Sequence, residues 1–463
     1  MNKQPISRRE FVKGTLAAGA AFAAGPISST PADNANARPN ILLIFSDQQH
    51  WHAMGLLDPF FDTPHLDALA KESVVFENSF CTTPQCSPSR SSLLTGFYPS
   101  KTGVFGNVGA AGGERLAQET IGFELQSAGY RTGYSGKWHL GNREIATKGW
   151  DMSNLKTNDT LAESQALAFL RQSGGSAKPF ALFVSIHNPH DIYHFERHHM
   201  QPTDKKVPLP ESWDRETLDN KPPVQKQFMQ EDQGKVIWGK DRKVWEKYRD
   251  CYRTKAALYD ANVGVIIGEL KKQGLWDNTV IIVTSDHGDM DANNKLIYKG
   301  PFMYEHMVRI PLMIRIPGKF RGIGARRITD MDVVNVDIAP SIRDLCGLSN
   351  IACDGISLAP LLTNSGKQSK REFVIGQYYS KQKWVNPIRM IRTRDFKFVR
   401  YIRHGEELYD LKNDPHEVKN LASDPRYANV KADLSHKLDR WIKDNNDPFY
   451  SLKTTTRSGE IIA

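Results

Sequence analysis

The stretch "NILLIFSDQQ", residues 40–49, is apolar at every position from Ile41 to Phe45 and then meets a serine, an aspartate and two glutamines. A strand with one wet face alternates apolar and polar side chains. An unbroken apolar run belongs instead to a strand covered on both faces, as in a parallel α/β sheet. "TVIIVTSDHGD", residues 279–289, repeats the pattern and again ends in Ser-Asp. Two further runs close on titratable side chains: "YRTGYSGKWHLG" (130–141) on Lys137 and His139, and "PFALFVSIHNPH" (179–190) on His187 and His190. Ligands of such sheets sit beyond the carboxyl ends of the strands. Four strand ends therefore bring two carboxylates, a lysine and several histidines to one rim.

Helix signals lie between these runs. Thr63 and Pro64 read as an N-cap and a first-turn proline ahead of Leu66, Leu69 and Ala70. A long amphipathic segment from Tyr252, closing near Gly274, feeds the second Ser-Asp strand. Alternation of strands and helices predicts an α/β fold with a doubly wound, mostly parallel sheet flanked by helices. From about Arg371 the pattern changes to apolar residues alternating with polar or basic ones, as in a small antiparallel sheet, and residues 428–445 read as a covering helix. The expected division is a catalytic domain over 38–370 and a smaller C-terminal α+β domain over 371–463.

The first 37 residues stand apart. "SRREFVKG" (7–14) is a twin-arginine pattern followed by an Ala/Gly run and "ANA" at 35–37, which predicts an export signal cut before Arg38 and a periplasmic or secreted protein. The apolar run covers about a dozen residues where a bilayer needs about 20, so no stable membrane insertion is expected. Loss of this segment takes the net charge from +9 to +7. A basic surface attracts polyanions, and export favours an acidic polysaccharide over nucleic acid, which is not expected as a partner. Five cysteines are an odd number for an oxidising compartment. Cys346 and Cys353 are near enough in sequence to close a small loop, and no C-x-x-C zinc spacing occurs.

An aspartate after a strand is often only a helix cap. Here the Ser-Asp pair occurs twice, followed once by Gln48 and once by His287, which sets oxygen and nitrogen donors beside two carboxylates and points to a divalent metal. "CTTPQCSPSRSSLLTG" (81–96) reads as the entrance to a helix, with Ser87 as cap and Pro88 as first residue. Cys86 then meets the unpaired N–H groups of the helix start, with Arg90 one turn in, a place that favours an anion. Three readings of Cys86 follow: a structural thiol, a low-pKa thiolate, or a cysteine rewritten before the enzyme works.

The spacing Cys86-x-Pro88-x-Arg90, with Leu94, Thr95 and Gly96 behind it, resembles the sulfatase signature. "TPHLDALAKES", "GKWHLG", "VTSDHGD", "YEHMVRIPL" and "ELYDLKNDPHEVKNLA" follow in the family's order. Together they resemble a type I sulfatase of the alkaline phosphatase superfamily. The resemblance implies that Cys86 is oxidised to Cα-formylglycine by a formylglycine-generating maturation enzyme. It further implies calcium, with magnesium or manganese as alternatives, held by Asp47, Gln48, Asp286, His287 and residue 86.

By the same resemblance Arg90 lowers the pKa of the aldehyde hydrate and Lys137 and Lys299 hold the sulfate oxygens. His190 protonates the leaving alcohol, and His139 takes the proton that releases sulfate. Gln48 and His287 depart from the commoner Asp-Asp and Asp-Asn pairs and resemble phosphonate monoester and phosphodiester hydrolases, which keeps that class as the alternative. The implied substrate is a sulfated carbohydrate or polysaccharide, and Arg197, His198 and His306 are the candidates for recognising it.

Overall fold

The apolar run of the opening stretch forms β1 (Asn40–Asp47), buried along all its length. The computed structural model describes residues 38–462 except 142, 200–205, 321 and 350; the export segment expected at 1–37 lies outside the described residues. Among these the main sheet continues with β2 (Val74–Phe80), β3 (Arg131–Gly136), β4 (Met152–Asn154), β5 (Phe180–Pro189), β6 (Thr279–Ser285), β7 (Leu312–Arg315) and β8 (Arg326–Val334). Their order is β4-β3-β5-β1-β6-β7-β2-β8. β1 pairs in parallel with β5 and β6, and β3 in parallel with β4 and β5. β7 alone runs antiparallel, between β6 and β2.

Period-two geometry explains why β1 is apolar throughout. Ile41, Leu43 and Phe45 face one core with Leu93, Leu94 and Ile338. Leu42 and Ile44 face the other with Ala166, Phe169 and Ile266. Each of these side chains is fully buried or nearly so, and such burial contributes about 1.5–3 kcal/mol per residue. The second core is covered by the helices Asp159–Ser173 and Arg242–Lys272. The latter begins ahead of the expected Tyr252, at a cap where Asp241 accepts from the Val244 N–H at 3.2 Å.

The helix bearing the C-x-P-x-R spacing runs Cys86–Thr95, capped by extended Gln85 and ended by Gly96 at φ 83°. Ser87 does not cap it, because its hydroxyl donates to the His139 carbonyl at 2.5 Å and its N–H to Asn107 Oδ1 at 3.0 Å. Cys86 is thus the first helical residue rather than the one before the helix.

The C-terminal sheet has β9 (Val374–Lys381), β10 (Trp384–Arg392), β11 (Phe396–Tyr401) and β12 (Glu406–Asp410) in the antiparallel order β12-β11-β10-β9. The helix Ala428–Asp444 buries Leu434, Leu438 and Ile442 in the adjoining core. No helix among the described residues is long and apolar enough to cross a membrane. All five cysteines are free. The Cys346–Cys353 bridge does not form: Cys346 meets Tyr130, while Cys353 accepts from Arg343 Nη1 at 3.7 Å.

Candidate active site

Because β3, β5, β1 and β6 are consecutive in the sheet, their carboxyl ends lie side by side. They deliver Lys137 and His139, His190, Asp47, and Asp286 with His287, respectively. The end of β3 requires glycine: Gly136 has φ 104°, and a Cβ there would stand 1.9 Å from the Ser185 carbonyl oxygen. That close approach to β5 turns Lys137 into the rim.

Arg90, fully buried, organises the two carboxylates. Its Nε donates to Asp286 Oδ2 at 2.9 Å and its Nη2 to Asp47 Oδ2 at 3.0 Å, while Nη1 reaches the Lys137 carbonyl at 2.6 Å and Ser185 Oγ at 2.7 Å. Lys137 Nζ also takes Asp47 Oδ2, at 2.5 Å. The Oδ2 atoms are therefore spent on cations, and the Oδ1 atoms turn toward His287, whose Nε2 lies 3.7 Å from Asp47 Oδ1 and 3.6 Å from Asp286 Oδ1. Burial and the neighbouring Cys86 would raise the Asp47 carboxyl, but Lys137 and Arg90, both in contact with it, hold it well below the usual carboxylate range.

Cys86 Sγ sits at the meeting point. It is 3.5 Å from Asp47 Oδ1, 3.3 Å from His287 Nε2, 3.2 Å from Lys299 Nζ and 3.7 Å from Lys137 Nζ. His139 and His190 hydrogen-bond to the same sulfur. Burial alone would raise the thiol, yet Lys137, Lys299 and His287 hold it well below its ordinary value. A site that stabilises a negative charge on sulfur also stabilises one on an oxygen placed there.

The donor set fits a divalent cation. Ligand atoms of Asp47, Cys86, Asp286 and His287 lie within 4.8 Å of one another. His287 Nδ1 donates to the Gly288 carbonyl at 2.9 Å, which turns Nε2 toward the cluster; against burial, Asp286 and Cys86 raise this imidazole, so a cation bound there would displace the Nε2 proton. Gln48 is placed differently from the other expected ligands. Its Oε1 accepts from Lys299 Nζ at 2.6 Å and its Nε2 donates to Asp289 Oδ2 at 2.7 Å. Asp289, pushed up to about 6 by burial, also accepts from the Tyr248 hydroxyl at 2.8 Å. Tyr248 lies in the helix segment ahead of Tyr252 and carries no motif.

A cavity of about 300 Å³ opens beside this cluster, with His190, Tyr193 and Lys299 in its wall. Gln85, Gln233, Tyr378 and Lys381 also line it, and none of these four announced itself in the sequence. The three residues expected to read the substrate do not line this cavity. His198 is tied by Nε2 to Asp250 Oδ2 at 2.9 Å, and Arg197 is exposed on the 3-10 turn His190–Arg197. His306 lies against His50, with ring centroids 5.2 Å apart, in a separate cavity of about 360 Å³.

A buried cluster of cations around one anionic oxygen position, with two histidines touching it, is the equipment of a hydrolase for anionic esters. A sulfatase family model matches residues 39–348, and a model of the C-terminal part of N-sulphoglucosamine sulphohydrolase matches 295–444. The chain belongs to the sulfatase family, within the alkaline phosphatase superfamily, and is a sulfuric ester hydrolase.

A Delta 4,5-hexuronate-2-O-sulfatase of Bacteroides thetaiotaomicron is 28% identical over 91% of this chain and 92% of its own. A solved 2-O GAG sulfatase superposes with a TM-score of 0.80 at 25% identity, covering 90% of this chain and 95% of that one. The phosphonate monoester hydrolase of Agrobacterium radiobacter, at 22% identity and a TM-score of 0.72 over 92% and 99% of the two chains, shares the fold.

Proposed function

We propose that this sulfatase is a formylglycine-dependent, exported enzyme that removes sulfate from a carbohydrate. The observation that carries the reading is the convergence of Asp47, His287, Lys137, Lys299, His139 and His190 on the sulfur of Cys86 within the C-x-P-x-R spacing. The relatives named for hexuronate and GAG sulfate esters support the carbohydrate class. The twin-arginine segment supports export, and a formylglycine-generating enzyme is the maturation partner.

Asp47, Asp286, His287 and residue 86 would hold the cation, calcium with magnesium or manganese as alternatives, while Gln48 positions Lys299. When present, the cation and the modified residue 86 supply a Lewis acid and an oxygen nucleophile. Lys137 and Lys299 neutralise the sulfate oxygens at the point where both now reach the sulfur. Burial, against the pull of Asp47, keeps His190 neutral, down at about 3. An anionic ester beside it favours its protonated form and equips it to protonate the leaving alcohol. His139 Nδ1 is buried without a hydrogen-bond partner, and this histidine serves as proton acceptor for the release of sulfate.

Gln48 and His287 favour one other reading, a phosphonate monoester or phosphodiester hydrolase. Initial rates on sulfated saccharides, an aryl sulfate, a phosphodiester and a phosphonate monoester separate the two. The proposal expects the sulfate esters to turn over fastest, and faster turnover of either phosphorus ester overturns it.

A further inference from the structure

The hairpin between β9 and β10 enters the catalytic cavity from the C-terminal sheet. Lys381 is the last residue of β9 and pairs with Trp384 across a turn whose first residue, Gln382, has φ 54°. The turn is pinned: the Gln382 carbonyl accepts from the Ala111 N–H at 2.9 Å, Ser380 Oγ donates to the Ala111 carbonyl at 2.5 Å, and the Ser380 carbonyl accepts from Gln85 Nε2. Lys381 Nζ donates to the Lys299 carbonyl at 3.1 Å, so its charge rests on the backbone of the residue whose ammonium touches Cys86.

That charge is poorly compensated. The Lys381 carboxylate partner is Asp232, at 3.5 Å, and Asp232 also faces Arg457 at 3.6 Å. Burial, reinforced by Lys299, pushes the Lys381 ammonium down to about 7. Around it the cavity wall carries polar atoms with no partner: Gln85 Oε1, Gln233 Oε1 and the Tyr378 hydroxyl are all buried and unbonded. Gln85 and Tyr378 are 5% and 2% exposed. Buried polar groups left unpaired cost stability, and so many in one cavity mark a ligand that satisfies them.

We infer that Lys381, Gln85, Gln233 and Tyr378 form a subsite for an anionic sugar: Lys381 pairs with a carboxylate or second sulfate on the saccharide, and the three unbonded groups take its hydroxyls. The inference rests on the sulfatase reading above and names the substrate class of the same site. The two glutamine oxygens accept from sugar hydroxyls, the tyrosine donates or accepts, and the ammonium supplies the charge-assisted bond.

The test uses two matched substrate pairs on the mature enzyme. One pair is a sulfated uronide and its carboxyl-reduced analogue; the other is a disulfated hexosamine and the monosulfated form that keeps only the scissile sulfate. The wild-type enzyme should prefer the charged member of at least one pair by about tenfold or more in kcat/KM. In Lys381→Gln that preference should collapse toward unity, and in Lys381→Arg it should persist. Equal rates within both pairs for the wild-type enzyme, or an unchanged preference in Lys381→Gln, overturn the subsite. Failure of the sulfatase reading looks different, because no sulfate is then released even from 4-nitrophenyl sulfate.

Discussion

Lys299 Nζ lies 2.6 Å from Gln48 Oε1, so the residue beside Asp47 holds the ammonium that stands 3.2 Å from Cys86 Sγ. The Gln48 amide is itself fixed by Asp289 and, through it, by Tyr248, whose hydroxyl accepts from the Tyr298 N–H at 2.9 Å. The path returns to Lys299 through its chain neighbour. Gln48→Ala removes the clamp without touching residue 86. Its kcat on an aryl sulfate should fall about 10–100-fold, the cost of losing a supporting contact at such a site. Steady-state kinetics check this, and wild-type kcat in the variant would show that Lys299 needs no such clamp.

Asp47 and Asp286 should be unequal in their second roles. Either change to Asn takes one carboxylate from the proposed cation site and should weaken divalent-cation binding at least about tenfold. Both carboxylates face Arg90 and His287, but Asp47→Asn also strips Lys137 of its buried partner. Removing one member of a buried pair costs about 3–5 kcal/mol, so Asp47→Asn should be the less stable protein without metal. Calorimetric titration and chemical denaturation read the two effects separately; unchanged metal affinity in both variants would place the cation elsewhere.

Much of this site was legible because its signals are local. The apolar runs of β1 and β6 and the side chains just past them are contiguous, and strand periodicity alone puts them on one rim. Residues brought in by tertiary packing gave no such signal. "RKVWEKYRDC" (242–251) is too charged to look like the start of a buried helix, although Trp245, Tyr248 and Tyr252 share one face. The alternation in β9 does not say that Tyr378 and Lys381 reach a cavity beside another sheet. Histidines after His190 suggested a substrate wall. Tyr193 and Gln233 do come from that region, but His198 is occupied by Asp250.

His306 gives a pH prediction. Burial, together with His50 and His52, holds it well below its ordinary value, so the folded protein keeps it neutral while the unfolded chain takes up a proton near 6.5. The unfolded state then binds more protons as pH falls through that value, and stability is lost on the acid side. His306→Asn should lose less stability than wild type between about pH 7 and pH 5. Urea midpoints at the two pH values decide it, and identical losses would mean that His306 is not held neutral.

The net charge of +7 over residues 38–463 should steer a polyanion. Raising ionic strength to about 0.1 M screens exposed attractions beyond about 10 Å. The value of kcat/KM for a sulfated oligosaccharide should therefore fall more steeply with salt than that for a small aryl sulfate. Parallel declines would remove steering from the account.

Everything at this rim converges on residue 86, and its chemical state tests the account most directly. Protein exported from a host with the maturation system should be digested and the peptide spanning Cys86 to Arg90 analysed by mass spectrometry, with sulfate release measured on the same sample. The account predicts a lighter, hydrazide-reactive aldehyde at residue 86 whose fraction tracks specific activity, and a folded but inactive Cys86→Ala protein. A fully active sample carrying only the unmodified thiol would contradict it.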